Sequence, residues 1–266
     1  MAAGTTYNLT PEYQPREFYR VETGVRKSGP WKLNTDNLVN GSFLPPFTPV
    51  CADLKTRVVT VVRNVKVVEA YTSGTSVKIA KNSLAYEGMS ISDGVETAVV
   101  SSINKSNAAY DTLTLAAGFS NAIALGTVLF EAVALVKGKT KAGSKDATSL
   151  DIAKNSGIQA GMQIIIGEAT YTVTAVDTSD SGKDVLTLSE GLAADVSANT
   201  NFAEKQKSVP VRTANFVLYD RKKVEVGKIV NVTLLMQAYE VKEGKLPLPI
   251  SEGDKVGLTS RFQFEY

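Results

Sequence analysis

A stretch of 57 residues, Thr75 to Glu131, occurs twice in this chain. Shifted by 73 positions it lands on Thr148 to Glu204 without a gap, and about 21 of the 57 positions are identical. Thr75-Ser76 meets Thr148-Ser149, and Ile79-Ala80-Lys81-Asn82-Ser83 meets Ile152-Ala153-Lys154-Asn155-Ser156. Gly88-Met89, Ile91, Gly94, Asp111, Leu113-Thr114-Leu115 and Gly118 also have identical partners. Such a period constrains the fold strongly, because each copy is one structural unit too small to hold much of a core alone. The shared residues are turn formers, alternating apolar residues and small hydroxyls. None is a histidine, a cysteine or a paired acid. A fold was duplicated, without visible catalytic machinery.

Each copy reads as about five short strands. In the first they fall near 77–81, 89–92, 97–103, 112–115 and 128–130. In the second they fall near 150–154, 162–166, 171–176, 185–188 and 201–203. In Tyr171-Thr172-Val173-Thr174-Ala175-Val176 larger apolar residues alternate with smaller or polar ones, so one face is buried and one exposed. Asp93-Gly94 between two strands is a short-hairpin signal. Gly88 and Gly161 suit turn positions of positive φ. The spacing of strands and turns predicts an all-β chain with a small β-barrel or sandwich in each copy.

The flanks differ from the copies. Residues 1–47 carry Pro11, Pro15, Pro30, Pro45 and Pro46 among many aromatics. Proline opposes regular pairing, and the aromatics are too many for a disordered tail. The segment reads as an extended N-terminal arm whose Tyr13, Phe18, Tyr19, Trp31, Phe43 and Phe47 would anchor on a neighbouring subunit, as aromatics do at interfaces. The alternative is a meandering N-terminus packed on its own domain. Strand-like runs return on both sides of the duplicated block, at Val58-Val59-Thr60-Val61-Val62, Val65 to Tyr71, 210–219, 228–236 and 238–242. The near-continuous apolar runs suggest strands covered on both faces. Residues 48–72 and 207–266 are therefore expected to form one β scaffold domain, with module 1 (73–136) and module 2 (137–206) inserted in it. Lys137 to Lys145 reads as an exposed Gly/Lys linker. The alternation in Arg261-Phe262-Gln263-Phe264-Glu265-Tyr266 predicts a terminal strand buried through Phe262, Phe264 and Tyr266.

Composition excludes function classes more readily than it names one. The net charge of +2 gives no global field for nucleic acid or an anionic membrane. Arg57, Arg63 and Lys66 read as solvated edges, since no basic stripe interleaved with aromatics surrounds them. No apolar run approaches a membrane span, and the N-terminus lacks the pattern of a secretory signal. The single Cys51 excludes an internal disulfide framework. The chain has no histidine, which removes the commonest general base and zinc ligand. Asp177, Asp180 and Asp184 cluster in one loop and are the candidate metal ligands. Their spacing departs from the DxDxDG loop and Lys183 lies among them, so a solvated turn is the simpler account. A glycosidase would need two carboxylates about 5–10 Å apart, and no spacing marks such a pair. The expectation is a protein that is not an enzyme and uses no cofactor.

The copies, with Gly161-Met162-Gln163-Ile164-Ile165-Ile166-Gly167, Tyr171-Thr172-Val173-Thr174-Ala175-Val176 and Leu186-Thr187-Leu188-Ser189, resemble small β-modules of tailed-bacteriophage virion proteins. Leu44-Pro45-Pro46-Phe47-Thr48-Pro49-Val50-Cys51-Ala52-Asp53-Leu54 and Arg63-Asn64-Val65-Lys66-Val67-Val68-Glu69-Ala70 resemble head-associated auxiliary proteins of crAss-like phages. The likeness covers about residues 44–204 and transfers no catalytic residue. It implies a capsid auxiliary or head decoration protein, a homo-oligomer on the capsid surface assembled in the host cytoplasm. Its partners would be other virion proteins, the major capsid protein first, and neither nucleic acid nor membrane. A head fibre, a connector or tail component, or a β-rich module binding host glycans is the alternative. A glycan binder would expose aromatics at its loop tips, where only Tyr110 and Phe119 stand.

Overall fold

A computed structural model describes residues 18–132, 137–154, 157–205 and 213–265. The fold is all-β and falls into three bodies. The chain starts the first with β1 (Val25–Leu33), β2 (Phe43–Leu44), β3 (Pro49–Ala52) and β4 (Val58–Val61). It then builds a second from β5 (Asn64–Lys66), β6 (Ser76–Ala80), β7 (Ser90–Ser92), β8 (Thr97–Asn104), β9 (Tyr110–Leu115) and β10 (Val128–Glu131). The third comprises β11 (Lys137–Lys139), β12 (Ser149–Ile152), β13 (Gln163–Ile166), β14 (Ala169–Asp177), β15 (Asp184–Leu188) and β16 (Asn201–Glu204). The chain then returns to the first body with β17 (Phe216–Leu218), β18 (Lys222–Lys223), β19 (Asn231–Lys242), helix α1 (Glu252–Leu258) and β20 (Phe262–Glu265).

The scaffold sheet curls on itself. Its order is β1-β4-β3-β17-β19-β20, and β1 also pairs with β19, which closes five strands into a ring. The 12 residues of β19 make this possible, because its first part pairs with β17 and β1 and its last part with β20. Inside the ring lie Trp31, Val50, Val59, Val61, Phe216 and Leu234. A second core on the other face holds Phe47, Cys51, Val62, Val217, Leu235, Leu258 and Phe262. The run Val58 to Val62 is nearly all apolar because Val59 and Val61 feed one core and Val62 the other.

The other two bodies are closed six-stranded barrels. Their orders are β5-β10-β7-β8-β9-β6 and β11-β16-β13-β14-β15-β12. Bridges Val67–Ile79 and Thr140–Ile152 join the first and last strand of each. Matching strands lie 73 positions apart, within a residue or two at their ends. Each unit begins about ten residues before the identical stretch, at Asn64 and Lys137, because its first strand kept its place but not its sequence. Closure leaves neither barrel an open edge for strand addition.

Several expectations need correction. Of the expected arm, the described residues from Phe18 to Phe47 belong to the scaffold, where β1 pairs with β19 and β4. Residues 64–72, expected in the scaffold, belong to the first barrel. Lys137 to Lys145 is no solvated linker. Gly138 is buried, and a Cβ there would lie 3.3 Å from the Phe202 ring. A Cβ on Gly143 would lie 2.9 Å from both Leu150 and Leu192. Asp93-Gly94 does not make a two-residue hairpin. The loop spans 93–96, and Asp93 Oδ1 accepts from the N–H groups of Val95 and Glu96. The two-residue loop is in the other copy, at 167–168. In the terminal strand Phe262 is buried and Phe264 half-buried, while Tyr266 lies outside the described residues.

Gly118 and Gly191, identical in the two copies, are needed for close approach. A Cβ on Gly118 would sit 1.9 Å from the Gly74 carbonyl oxygen, and one on Gly191 would sit 2.6 Å from that of Asp146.

Candidate interaction surfaces

The chain leaves the scaffold at Arg63, and here a buried polar cluster fixes the first barrel. Arg63 is not a solvated edge. Its guanidinium lies 3.1 Å from the Glu131 carboxylate, with the side chains only 5% and 4% exposed. Arg63 also donates to the Asp36 carbonyl at 2.7 Å and lies over the Tyr86 ring. The Tyr86 hydroxyl donates to the other Glu131 oxygen at 2.8 Å. Burial, then that hydrogen bond, hold the Tyr86 phenol above its usual pKa. Next along the chain, Asn64 donates to Asp254 Oδ2 at 2.9 Å. Asp254 is fully buried, accepts from the Ala214 N–H and closes a capping box with Ser251 at the start of α1. The outgoing and returning chain are thus tied to one carboxylate. Helix α1 packs on β16, β11 and β13, which seats the second barrel on the scaffold. A cleft of about 500 Å³, lined in part by Lys66, Phe130, Lys139 and Glu252, lies where the three bodies meet.

The six aromatics expected at an interface separate. Trp31 and Phe47 are scaffold core and cannot touch a neighbour. Phe18 and Tyr19 pack against the second scaffold core, and the Tyr19 ring lies 5.8 Å from that of Phe47. Tyr13 lies outside the described residues. Phe43 alone is well exposed, at 48%, with the Arg221 guanidinium 3.8 Å above its ring. Proline-spaced aromatics signal packing as readily as an interface, and the chain's own core claimed four of the six.

Composition missed the exposed aliphatic residues on the same two loops as Phe43. Val39 is 74% exposed, Ile229 73% and Val226 50%. Backbone bonds lace the two loops that carry them. Gly41 donates to the Val224 carbonyl and Val224 to that of Ser42, both at 2.8 Å. Val226 N–H donates to Asn40 Oδ1 at 3.0 Å, and Lys223 pairs with Phe43 across β2 and β18. Isolated Val and Ile beside Gly227 and Asn40 resemble ordinary turn flanks in sequence, so no periodicity flags them.

Charge and apolar exposure also segregate between bodies. The scaffold, 18–63 and 213–265, carries 15 Lys and Arg against 10 Asp and Glu. The two barrels, 64–131 and 137–204, carry 10 against 15. Seven of the ten well-exposed large hydrophobics among the described residues are on the scaffold, three on the first barrel and none on the second. The near-zero net charge hides this polarity. At the loop tips considered for glycans, Phe119 is buried against Tyr71, and Tyr110 is half-buried with Lys78 Nζ 5.0 Å from its ring.

The acidic loop is organised by a lysine and by turns. Lys154 Nζ lies 2.9 Å from Asp184 Oδ1 and donates to the Thr178 carbonyl at 2.6 Å. Asp177 Oδ1 accepts from Ser179 N–H and Asp180 Oδ1 from Gly182 N–H, each closing a local turn. The first of these bonds leads in holding the Asp177 carboxyl below its usual pKa. The first barrel repeats the clamp: Lys81 reaches Asp111 at 2.6 Å and the carbonyls of Lys105 and Asn107. The duplicated Lys and Asp therefore pin the same loop in both barrels.

Residues 3–142 match the family described as head fiber protein. The match runs through the first half of the scaffold and the first barrel and ends just inside the second. No curated protein and no solved structure matches the chain.

Proposed function

The chain belongs to the phage head fiber protein family and is a structural protein of the phage head, and from that premise we propose that it is a fibre component held to the head by its scaffold, with the barrels facing outward. The observation that supports this reading is the segregation just described. Cationic and exposed apolar side chains gather on the scaffold, and exposed apolar patches are typical of protein contacts. The second barrel has an acidic, polar outside, as suits a solvated projection. The role requires interface area and no chemistry. A cementing decoration protein, like the crAss-like auxiliary proteins that the sequence resembles, is the other reading of a head-associated chain. It would bridge capsomers, and the closed barrels give no free strand edges for that.

Phage lacking this protein distinguish the two. The fibre reading expects heads that assemble, package DNA and survive heating as wild type does. Heads that burst at lower temperature without the protein would mean it is cement.

A further inference from the structure

We propose that the two laced scaffold loops, 37–43 and 220–229, form a docking tip that seats in an apolar depression rimmed by carboxylates on another protein of the phage head. The proposal rests on the scaffold being the attached end. Four large apolar side chains, Val39, Phe43, Val226 and Ile229, stand exposed on these loops. Side chains of this size are seldom gathered outside a core unless a partner covers them.

The tip is pre-ordered. Its loops are bonded to each other through Gly41, Ser42 and Val224, and the Arg221 guanidinium lies over the Phe43 ring. Binding would therefore cost little ordering. An exposed aromatic with an arginine over its ring, on loops that carry further exposed apolar side chains, is also the composition of an interface hot spot.

Charge selects the occupant. Residues 220–229 carry Arg221, Lys222, Lys223 and Lys228 against Asp220 and Glu225, and Lys228 is paired with Glu225 at 3.3 Å. Lys222 and Lys223 lie on β18 beside Phe43. A complementary surface must offer carboxylates around an apolar floor. A second copy does not match well. Its most acidic body, the second barrel, exposes no large hydrophobic among the described residues, so it offers the rim without the floor.

The test uses the full chain and phage heads purified from a strain lacking this protein, with binding followed by co-sedimentation over a salt series. Wild type should bind the heads, and more weakly as salt rises. Phe43→Asp/Val226→Asp should bind on the order of 100-fold more weakly, as expected when two central anchors are lost. Lys222→Glu/Lys223→Glu should bind more weakly with a flatter salt dependence. Leu125→Asp, an equally exposed change on the first barrel, should bind as wild type does. All variants alter exposed or half-exposed side chains, and unchanged melting temperatures would show that they fold. If wild type does not bind heads, the scaffold-attachment reading fails with the tip. If wild type binds and the tip variants bind equally well, the tip is refuted while attachment stands. A tip that instead mediates self-association, read as a fall in solution mass in the tip variants, or that binds anionic lipid vesicles in place of heads, would overturn the assignment of a protein partner.

Discussion

Removing one partner of the Arg63–Glu131 pair should unseat the first barrel and cost more than any surface change. In Arg63→Met the Glu131 carboxylate stays buried without its cation, and in Glu131→Leu the guanidinium stays buried without its anion. Breaking a buried pair from one side costs about 3–5 kcal/mol. For a cooperative unit the size of the first barrel each kcal/mol lowers the melting temperature by about 4–8 °C, so a fall of roughly 12–40 °C in that barrel's transition is expected. The double variant removes both charges. It leaves the Asp36 carbonyl and the half-buried Tyr86 hydroxyl, which water can reach in part. Its loss should be smaller than the sum of the single losses by roughly 2–3 kcal/mol. Urea unfolding followed by Trp31 reads the scaffold, since this is the only tryptophan and it is buried in the scaffold core. Calorimetry reports the barrels alongside it. Single variants that each lose less than about 1 kcal/mol, the value of an exposed pair, would refute the reasoning. So would a double variant whose loss equals the sum.

Gly118→Ala forces a methyl into the Gly74 carbonyl and should cost roughly 1–3 kcal/mol, lowering the first barrel's calorimetric transition more than the second's. Lys81→Met leaves the buried Asp111 without its cation and should cost the first barrel about 2–4 kcal/mol, whereas Lys154→Met should act on the second. Lys255 gives a pH signature. Burial lowers its pKa, but hydrogen bonds to Glu243 and Glu252 outweigh this and leave it raised. A cation with a raised folded pKa contributes stability in full below its unfolded value, about 10.5, and loses it as pH rises through the folded value. The urea midpoint should therefore fall less between pH 9.5 and 11.5 in Lys255→Met than in wild type (pH values about one unit either side of the unfolded pKa), and an equal fall in both would refute the linkage.

Most strand positions within the copies could be read from alternation and duplicated glycines. The strand that opens each barrel was legible only in part: Val65 to Tyr71 reads as a strand but not as a piece of the first barrel, and Lys137-Gly138-Lys139, which shares little sequence with Asn64-Val65-Lys66, has the composition of a linker. Its pairing with β16, and the cover Phe202 gives Gly138, are long-range facts. The scaffold's first strand was hidden for a similar reason. Pro30 and Gly29 interrupt β1 at its irregular register with β19, so local propensity argues against a strand that the tertiary pairing supplies. The exposed apolar side chains of the scaffold loops were the least legible. Aromatic content cannot tell Trp31 in a core from Phe43 on a tip. Nor can a net charge near zero reveal that cations and anions lie on different bodies.

A cryo-electron microscopy reconstruction of heads carrying this protein would test the central claim most directly. Scaffold density is expected against the shell, with residues 37–43 and 220–229 at the contact and both barrels farther out. Barrels seated on the shell with the scaffold pointing away, or density bridging neighbouring capsomers, would contradict it.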